Sequence, residues 1–366
     1  MNVVEKYLST YASLEGIEIN TERTAPYRWA LIIPAYDETP ASIQMLIDYC
    51  VDHDALLILI VNAPDNADQA ARKRTLTLLD FAGCPNTYLI DHVTQPLPQH
   101  QGVGLARKIG TDTALFLYNA KQIRSPWFFQ SDADVRLPSG YFQQTMPTSG
   151  TVIFNHQHVS SDPKLALAAR LYDAHMDHYV AGLRSAGSLY AYPTLGSTLS
   201  IHAQSYATVR GFPKRNAGED FHVLNKLAKI APVTIMADVS VRVEARLSTR
   251  VPFGTGPALA RIHRELEEGM RPSEFKSYHP NTFVLLTEAM KQLAEYAEKP
   301  SSATFSPIIS EILSELGWMS VADKLATGFT NLAPRSRGIT NWFDALKTLR
   351  FIHRAQQIYP DQPLIV

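Results

Sequence analysis

Apolar positions along the chain recur with two periods, and the switches between them predict its elements. Val4, Leu8, Tyr11 and Leu14 recur at helical spacing, so residues 1–25 read as an amphipathic helix and a linker. The unbroken apolar run 30–33 reads as a buried strand stopped by Pro34. Helical spacing returns over 42–50, with Ile43, Leu46 and Ile47 on one face. A second strand, 56–61, is broken by Asn62-Ala63-Pro64-Asp65-Asn66. A helix over 68–81, basic on one face and carrying Leu76 and Leu79 on the other, leads to a third strand at 87–93. A polar loop, 94–101, and a helix from 103 to about 118 precede the apolar run Trp127-Phe128-Phe129. Strands alternating with helices predict an α/β fold: a mostly parallel sheet, helices on both faces, right-handed crossovers.

Beyond Gly140 the alternation is less regular. Strands are expected at 151–154, 196–201 and 233–243, and helices at 163–183 and 219–230, the last with Phe221, Leu224 and Leu227 on one side. From about 257 five helical segments follow without a clear strand: 258–268, 282–298, 306–316, 321–329 and 341–358. The expected division is therefore an α/β domain over 1–250 and an α-helical C-terminal extension over 251–366. The junction 251–257, rich in Gly and Pro, is a candidate loop over the site.

Composition narrows the choice of partners. The 366 residues suffice for two domains, and 34 Lys and Arg against 35 Asp and Glu give no support to a nucleic-acid or polybasic membrane partner. The longest pure apolar run, 55–61, falls far short of the ~20 residues of a membrane span. Met1-Asn2-Val3-Val4-Glu5-Lys6 lacks the pattern of a signal peptide, so a cytoplasmic, soluble protein is expected. Cys50 and Cys84 each lie in or beside an apolar run and read as small core residues.

The candidate chemistry centres on Gln130-Ser131-Asp132-Ala133-Asp134, where an apolar run ends in two carboxylates two residues apart. In open parallel sheets ligands collect at the carboxyl ends of strands. Two hard oxygen donors there suit Mg²⁺ or Mn²⁺, with phosphate oxygens and water completing the shell. Alone, the pattern also suits a solvated turn. Pro34-Ala35-Tyr36-Asp37-Glu38, after the first strand, can face a nucleotide or be a plain strand-to-helix turn. Gly102-Val103-Gly104-Leu105-Ala106-Arg107-Lys108 departs from G-x-G-x-x-G at Arg107; it reads as a helix start whose N–H groups, with Arg107 and Lys108, face a diphosphate. Gly218-Glu219-Asp220 opens a helix, and a carboxylate ionised at neutral pH can take a proton from a hydroxyl. His156-x-His158 and His175-x-x-His178 have spacings met in zinc sites but no partner spaced to complete one. Arg242, Arg246 and Arg250 could hold phosphate or be surface charge.

In this order, these pieces resemble the family 2 glycosyltransferases over about 30–255. The resemblance is carried by Pro34 to Glu38, then Gly104-Leu105-Ala106-Arg107, then Asp132-Ala133-Asp134-Val135-Arg136-Leu137-Pro138-Ser139-Gly140-Tyr141-Phe142. Gly196-Ser197-Thr198-Leu199-Ser200-Ile201, Val209-Arg210-Gly211-Phe212-Pro213 and Gly218-Glu219-Asp220 complete it. It implies a GT-A, Rossmann-like fold and inverting transfer of a sugar, a hexose by expectation, from a UDP- or GDP-linked donor. Asp134, and less directly Asp132, would hold Mn²⁺ or Mg²⁺. Pro34, Ala35, Tyr36 and Glu38 would line the base and ribose, and Arg107 would lie near the nucleotide or its phosphates. Asp220 would be the general base, with Glu219 beside it or in its place. Many members carry a carboxylate pair where Asn62 stands here; Asn62 would pair with a base edge in its place, in more than one way, and a third metal ligand has no clear counterpart.

The implied acceptor is a hydroxyl of a saccharide, a lipid or a small molecule. The apolar face Trp342, Leu346, Leu349, Phe351 and Ile352 suggests core, a homodimer contact or, for a lipid acceptor, the inner face of the membrane. The alternative is a haloacid-dehalogenase-type phosphatase with Asp132 as nucleophile, but that class carries the string after its first strand.

Overall fold

The computed structural model describes residues 1–14, 25–248, 254–329 and 331–364. They form two compact units, one of 1–166 with 194–260 and one of 167–193 with 261–366.

The first unit opens with α1 (Val3–Thr10), β1 (Trp29–Ala35), α2 (Pro40–Asp52), β2 (Ala55–Pro64), α3 (Gln69–Leu76), β3 (Thr87–Leu97) and α4 (Gly102–Asn119). It continues through β4 (Trp127–Gln130), β5 (Val135–Arg136), β6 (Thr151–Val159) and the start of α5 (Pro163–Ser185). After β7 (Leu199–His202), α6 (Ala203–Thr208) and α7 (Glu219–Leu227) comes β8 (Val233–Glu244). The strands join in the order β3-β2-β1-β4-β7-β6-β8-β5. Only β7 and β5 run against the rest, so the sheet is mostly parallel, as expected.

Strand alternation explains the unbroken apolar runs of β1 and β2. Leu31, Ile33, Leu57, Leu59 and Val61 enter one core, with Phe129 of β4. Ala30, Ile32, Leu56, Ile58 and Ile60 enter another, with Phe128. Both faces are buried, so no polar position interrupts the pattern.

Pro34 does not stop β1 but lies within it, opposite Ile60. Ile32 accepts a bond from the Ser131 N–H on the β4 side, and the pairing with β4 ends at Ile32 and Gln130. Pro34 shares the Ile32 side, so its missing N–H falls where no ladder bond is needed. β3 runs on to Leu97 through four residues read as loop, aided by a register shift between Asn62 and Pro64. The short β5 is absent from the sequence reading because two residues have no period.

The second unit holds most of α5, then α8 (Thr255–Glu267) from Arg261 onward, α9 (Pro280–Glu298), α10 (Pro307–Glu315), α11 (Met319–Gly328), α12 (Leu332–Trp342) and α13 (Ala345–Ile358). A two-residue antiparallel pair, β9 (Lys276–Ser277) with β10 (Gln362–Pro363), interrupts the helices. The expected helix over 341–358 is broken at Phe343, and Asp344 caps α13 by accepting from the Lys347 N–H at 3.1 Å. The apolar face of α13 goes into this unit's own core: Phe351 and Ile352 are wholly buried, and Trp342 packs on Trp318. His175 bonds Ser277 and His178 bonds the Tyr278 carbonyl, so both histidines brace α5. Among the described residues, no helix is long and apolar enough to cross a membrane.

Candidate active site

The parallel strands β1, β2 and β4 deliver their carboxyl ends to one edge of the sheet. The acidic string lies in the turn between β4 and β5. Ala133 is buried in the core at 1% exposure, while the carboxylates on either side of it reach two arginines, Asp132 to Arg107 and Asp134 to Arg246. Gln130 and Ser131 are wholly buried. The Gln130 amide donates to Thr111 Oγ1 at 3.1 Å, and Ser131 Oγ donates to the Ser197 carbonyl at 3.0 Å. These two polar residues fix the strand end to α4 and to the turn before β7. After the string, β5 pairs with Val243 and Arg242 of β8, and the Asp134 carbonyl accepts from the Glu244 N–H at 3.1 Å.

Arg107 of α4 is the centre of the site. Its side chain is 3% exposed, and Nη2 lies 2.5 Å from Asp132 Oδ1. Nε donates to Glu219 Oε1 at 3.0 Å and Nη1 to the Ser131 carbonyl at 3.1 Å. Thus one guanidinium ties the end of β4 to the start of α7. A Cβ on Gly196 would stand 2.7 Å from Arg107 Nη2, so that position must be glycine for the guanidinium to sit here. Burial disfavours the Arg107 cation, but Asp132, Glu219 and Asp220 together outweigh it and raise its pKa.

Gly218 caps α7 at φ +69°, a conformation open to glycine, and Glu219 and Asp220 occupy the first turn. Burial raises the Glu219 carboxyl to about 7, with Asp220 adding to the rise and Arg107 opposing it. Burial raises Asp220 too; the charge of Asp132 adds, while the N–H groups of Phe221 and Gly196 and the Arg107 charge oppose.

A second guanidinium stands at the other aspartate. Arg246, just past β8, places Nη1 2.8 Å from Glu38 Oε2 and Nε 3.3 Å from Asp134 Oδ2. Burial pushes Asp134 up to about 7; Asp132 and Glu38 add to the rise and Arg246 opposes it. Five carboxylates here face two guanidiniums. Carboxylate oxygens crowded by like charge are hard donors of the type that divalent cations take, and here an arginine already lies among them.

The other expected residues fall as follows. Pro34 and Ala35 are buried in β1, Ala35 with no exposed surface, so only their backbone can face a ligand. Tyr36 is half-buried against the core. Asp37 takes φ +58° and is gripped by Arg74 through bonds of 2.6 and 3.0 Å, which fixes the turn that presents Glu38. Asn62, at the end of β2, is 6% exposed, and its buried Oδ1 has no hydrogen-bond partner. Lys108 is not part of the site. It lies on another side of α4 and donates to Tyr7 and Asp112 at 2.6 and 2.7 Å. Arg250 and residues 251–253 of the candidate loop lie outside the described residues. Sequence reasoning left Arg246 as one of three arginines; only the β5–β8 pairing selects it.

No known family model matches the chain, and no curated protein matches it. Among solved structures, the inositol-1-phosphate CTP transferase from T. maritima is similar at 10% identity and a TM-score of 0.30, over 68% of this chain and 99% of that one. At that TM-score the likeness carries no argument about activity.

Proposed function

We propose that the first unit is an inverting, metal-dependent glycosyltransferase that moves a sugar from a nucleotide-sugar donor to an acceptor hydroxyl. The observation that carries this reading is the Arg107 guanidinium, which joins the acid tip after β4 to the acidic first turn of α7. It sets a group suited to bind phosphate beside a group suited to take a proton.

Asp134 and Asp132 would hold the divalent cation, with Glu38 close by. When bound, such a cation supplies charge stabilisation for the departing diphosphate. The residues of the chain do the rest. Arg107 is held rigidly and orients Asp132. Asp220, in its ionised form, takes the proton of the acceptor hydroxyl as that oxygen attacks the anomeric carbon. The bond to the diphosphate breaks on the opposite face through an oxocarbenium-like state, and the anomeric centre inverts. Glu219, engaged by Arg107, supports the acceptor side. The unpartnered Asn62 acceptor suits a base with a ring N–H, uracil or guanine, which agrees with UDP- or GDP-linked donors.

The phosphatase alternative needs Asp132 free to attack phosphorus. Its Oδ1 instead lies against Arg107, and its strand is the fourth along the chain. The test is a thermal-shift panel of UDP- and GDP-sugars with and without Mn²⁺, with UTP and CTP alongside. A donor at a hundred times its Kd stabilises by about 2.7 kcal/mol. Stabilisation by a nucleotide-sugar only with Mn²⁺ is expected. A shift with the triphosphates alone would replace glycosyl transfer by nucleotidyl transfer.

A further inference from the structure

We propose that the Arg246 guanidinium is the resident counter-ion of the acidic tip, that a divalent cation arrives by displacing it, and that the freed guanidinium turns to the oxygens of the incoming diphosphate. This rests on the reading above and assigns Arg246 a role in ligand exchange.

The two arginines of the site are built differently. Arg107 is 3% exposed and bonded to two carboxylates and a carbonyl, so it cannot leave without stranding its partners. Arg246 is 33% exposed, and its contact with Asp134 is the looser one at 3.3 Å. It therefore has a path to solvent. Its backbone has little freedom: the Glu244 N–H is bound to the Asp134 carbonyl at 3.1 Å and the Ala245 N–H to the Val159 carbonyl at 2.8 Å. Exchange is thus a swing of the side chain.

Electrostatics makes the exchange necessary. The guanidinium spans Glu38 and Asp134, the carboxylates a cation would use. A divalent ion bound there with Arg246 in place would set cation against cation. The swing removes one positive charge and admits two, and a diphosphate offers the planar fork two oxygens in return. Cation and diphosphate then assist one another's binding.

The test is Mn²⁺ binding to the full chain, read from the electron paramagnetic resonance signal of free Mn²⁺, with and without UDP. Arg246→Gln should bind Mn²⁺ at least tenfold tighter than the wild type when UDP is absent. UDP should tighten the wild type more than the variant. Arg246→Lys keeps the charge but not the span and should fall between, which preserves the test should Arg246→Gln fold poorly. Equal or weaker binding by both variants without UDP would overturn the exchange and leave the transferase reading standing. No Mn²⁺ binding by any form, with or without UDP, would overturn the metal in that reading and the exchange with it.

Discussion

Arg107 and Lys108 are neighbours on α4 and enter two different buried charge clusters. On the Lys108 side the accounts close. Lys108 donates to Asp112 and to Tyr7, Asp112 accepts from Tyr7 at 2.7 Å and Tyr206 at 2.8 Å, and its second oxygen accepts from the Ser13 N–H at 2.7 Å. One cation meets one anion, and three elements plus the segment after α1 are clamped together. On the Arg107 side five carboxylates face two guanidiniums, and Asp134, Glu219 and Asp220 are all pushed up. A closed cluster holds a fold together; one with surplus charge of a single sign has room for a charged ligand and a reason to bind it.

The sharpest way to break this contrast is chemical. Asp220→Asn removes the proposed proton acceptor and keeps its shape. Transfer should fall by about 10²–10⁴-fold, the range for a lost general base, while donor binding in the thermal-shift panel is retained. Unchanged turnover in that variant would move the role to Glu219 or elsewhere.

Next in size is a stability contrast between two aspartates. Asp112→Asn leaves Lys108 buried without its counter-ion and should cost about 3–5 kcal/mol in denaturant unfolding. Asp134→Asn at pH 7.5 relieves repulsion from Asp132 and Glu38, so stability should hold or rise. Equal losses in both would show that the two clusters are alike in kind.

The pieces of the acidic site could be read from the chain, the Lys108 cluster could not, and the unread parts have a common cause. Asp132 and Asp134 stand out because an apolar run ends in two carboxylates two residues apart, a pattern that also suits a solvated turn until the other motifs, in order, are set beside it. The helix starts at 102 and 219 carry local signatures. What joins them is not local: Arg107 meets Asp132 across 25 positions and Glu219 across 112. Lys108, expected to face a diphosphate beside Arg107, turns instead to Asp112 one turn on and to Tyr7, 101 positions away. Pro34 misled because only the neighbouring strand shows which side of β1 needs no N–H. Arg246 follows β8, and only the pairing of β8 with the two-residue β5, too short to leave a period, brings it to Asp134.

A third test uses pH. The Glu219 carboxyl rises from 4.5 to about 7 in the fold, so the folded chain holds a proton there that the unfolded chain releases. Between those values folding takes up protons. The stability from this group is fully present below about pH 4.5 and lost as pH climbs toward 7, on the order of 3 kcal/mol. Denaturant midpoints from pH 5 to 8 should fall more steeply for the wild type than for Glu219→Gln. Parallel slopes would mean that Arg107 holds Glu219 ionised throughout. Activity should run the other way, rising with pH as Asp220, whose carboxyl burial raises above its usual range, loses its proton.

The smallest expected effect tests whether the Lys108 cluster is as closed as its geometry indicates. Tyr7 gives its hydroxyl proton to Asp112 and accepts from Lys108, and its ring sits in the core with Tyr206 at 5.4 Å between centroids. Tyr7→Phe keeps the ring and removes one oxygen. Asp112 retains the Lys108 ammonium, the Tyr206 hydroxyl and the Ser13 N–H, while Lys108 gives up one of its two bonds. The loss should be about 1–2 kcal/mol, that of a hydrogen bond to charged groups with both partners still partly satisfied. Because α1 enters this core through Val4 and Tyr7, amide exchange should quicken first in residues 3–10 and leave the strand ends of the site protected. If exchange quickened equally around Asp132 and Glu219, the two clusters would be one cooperative network, and the charge surplus of the site would be stabilised through Lys108 as well as Arg107.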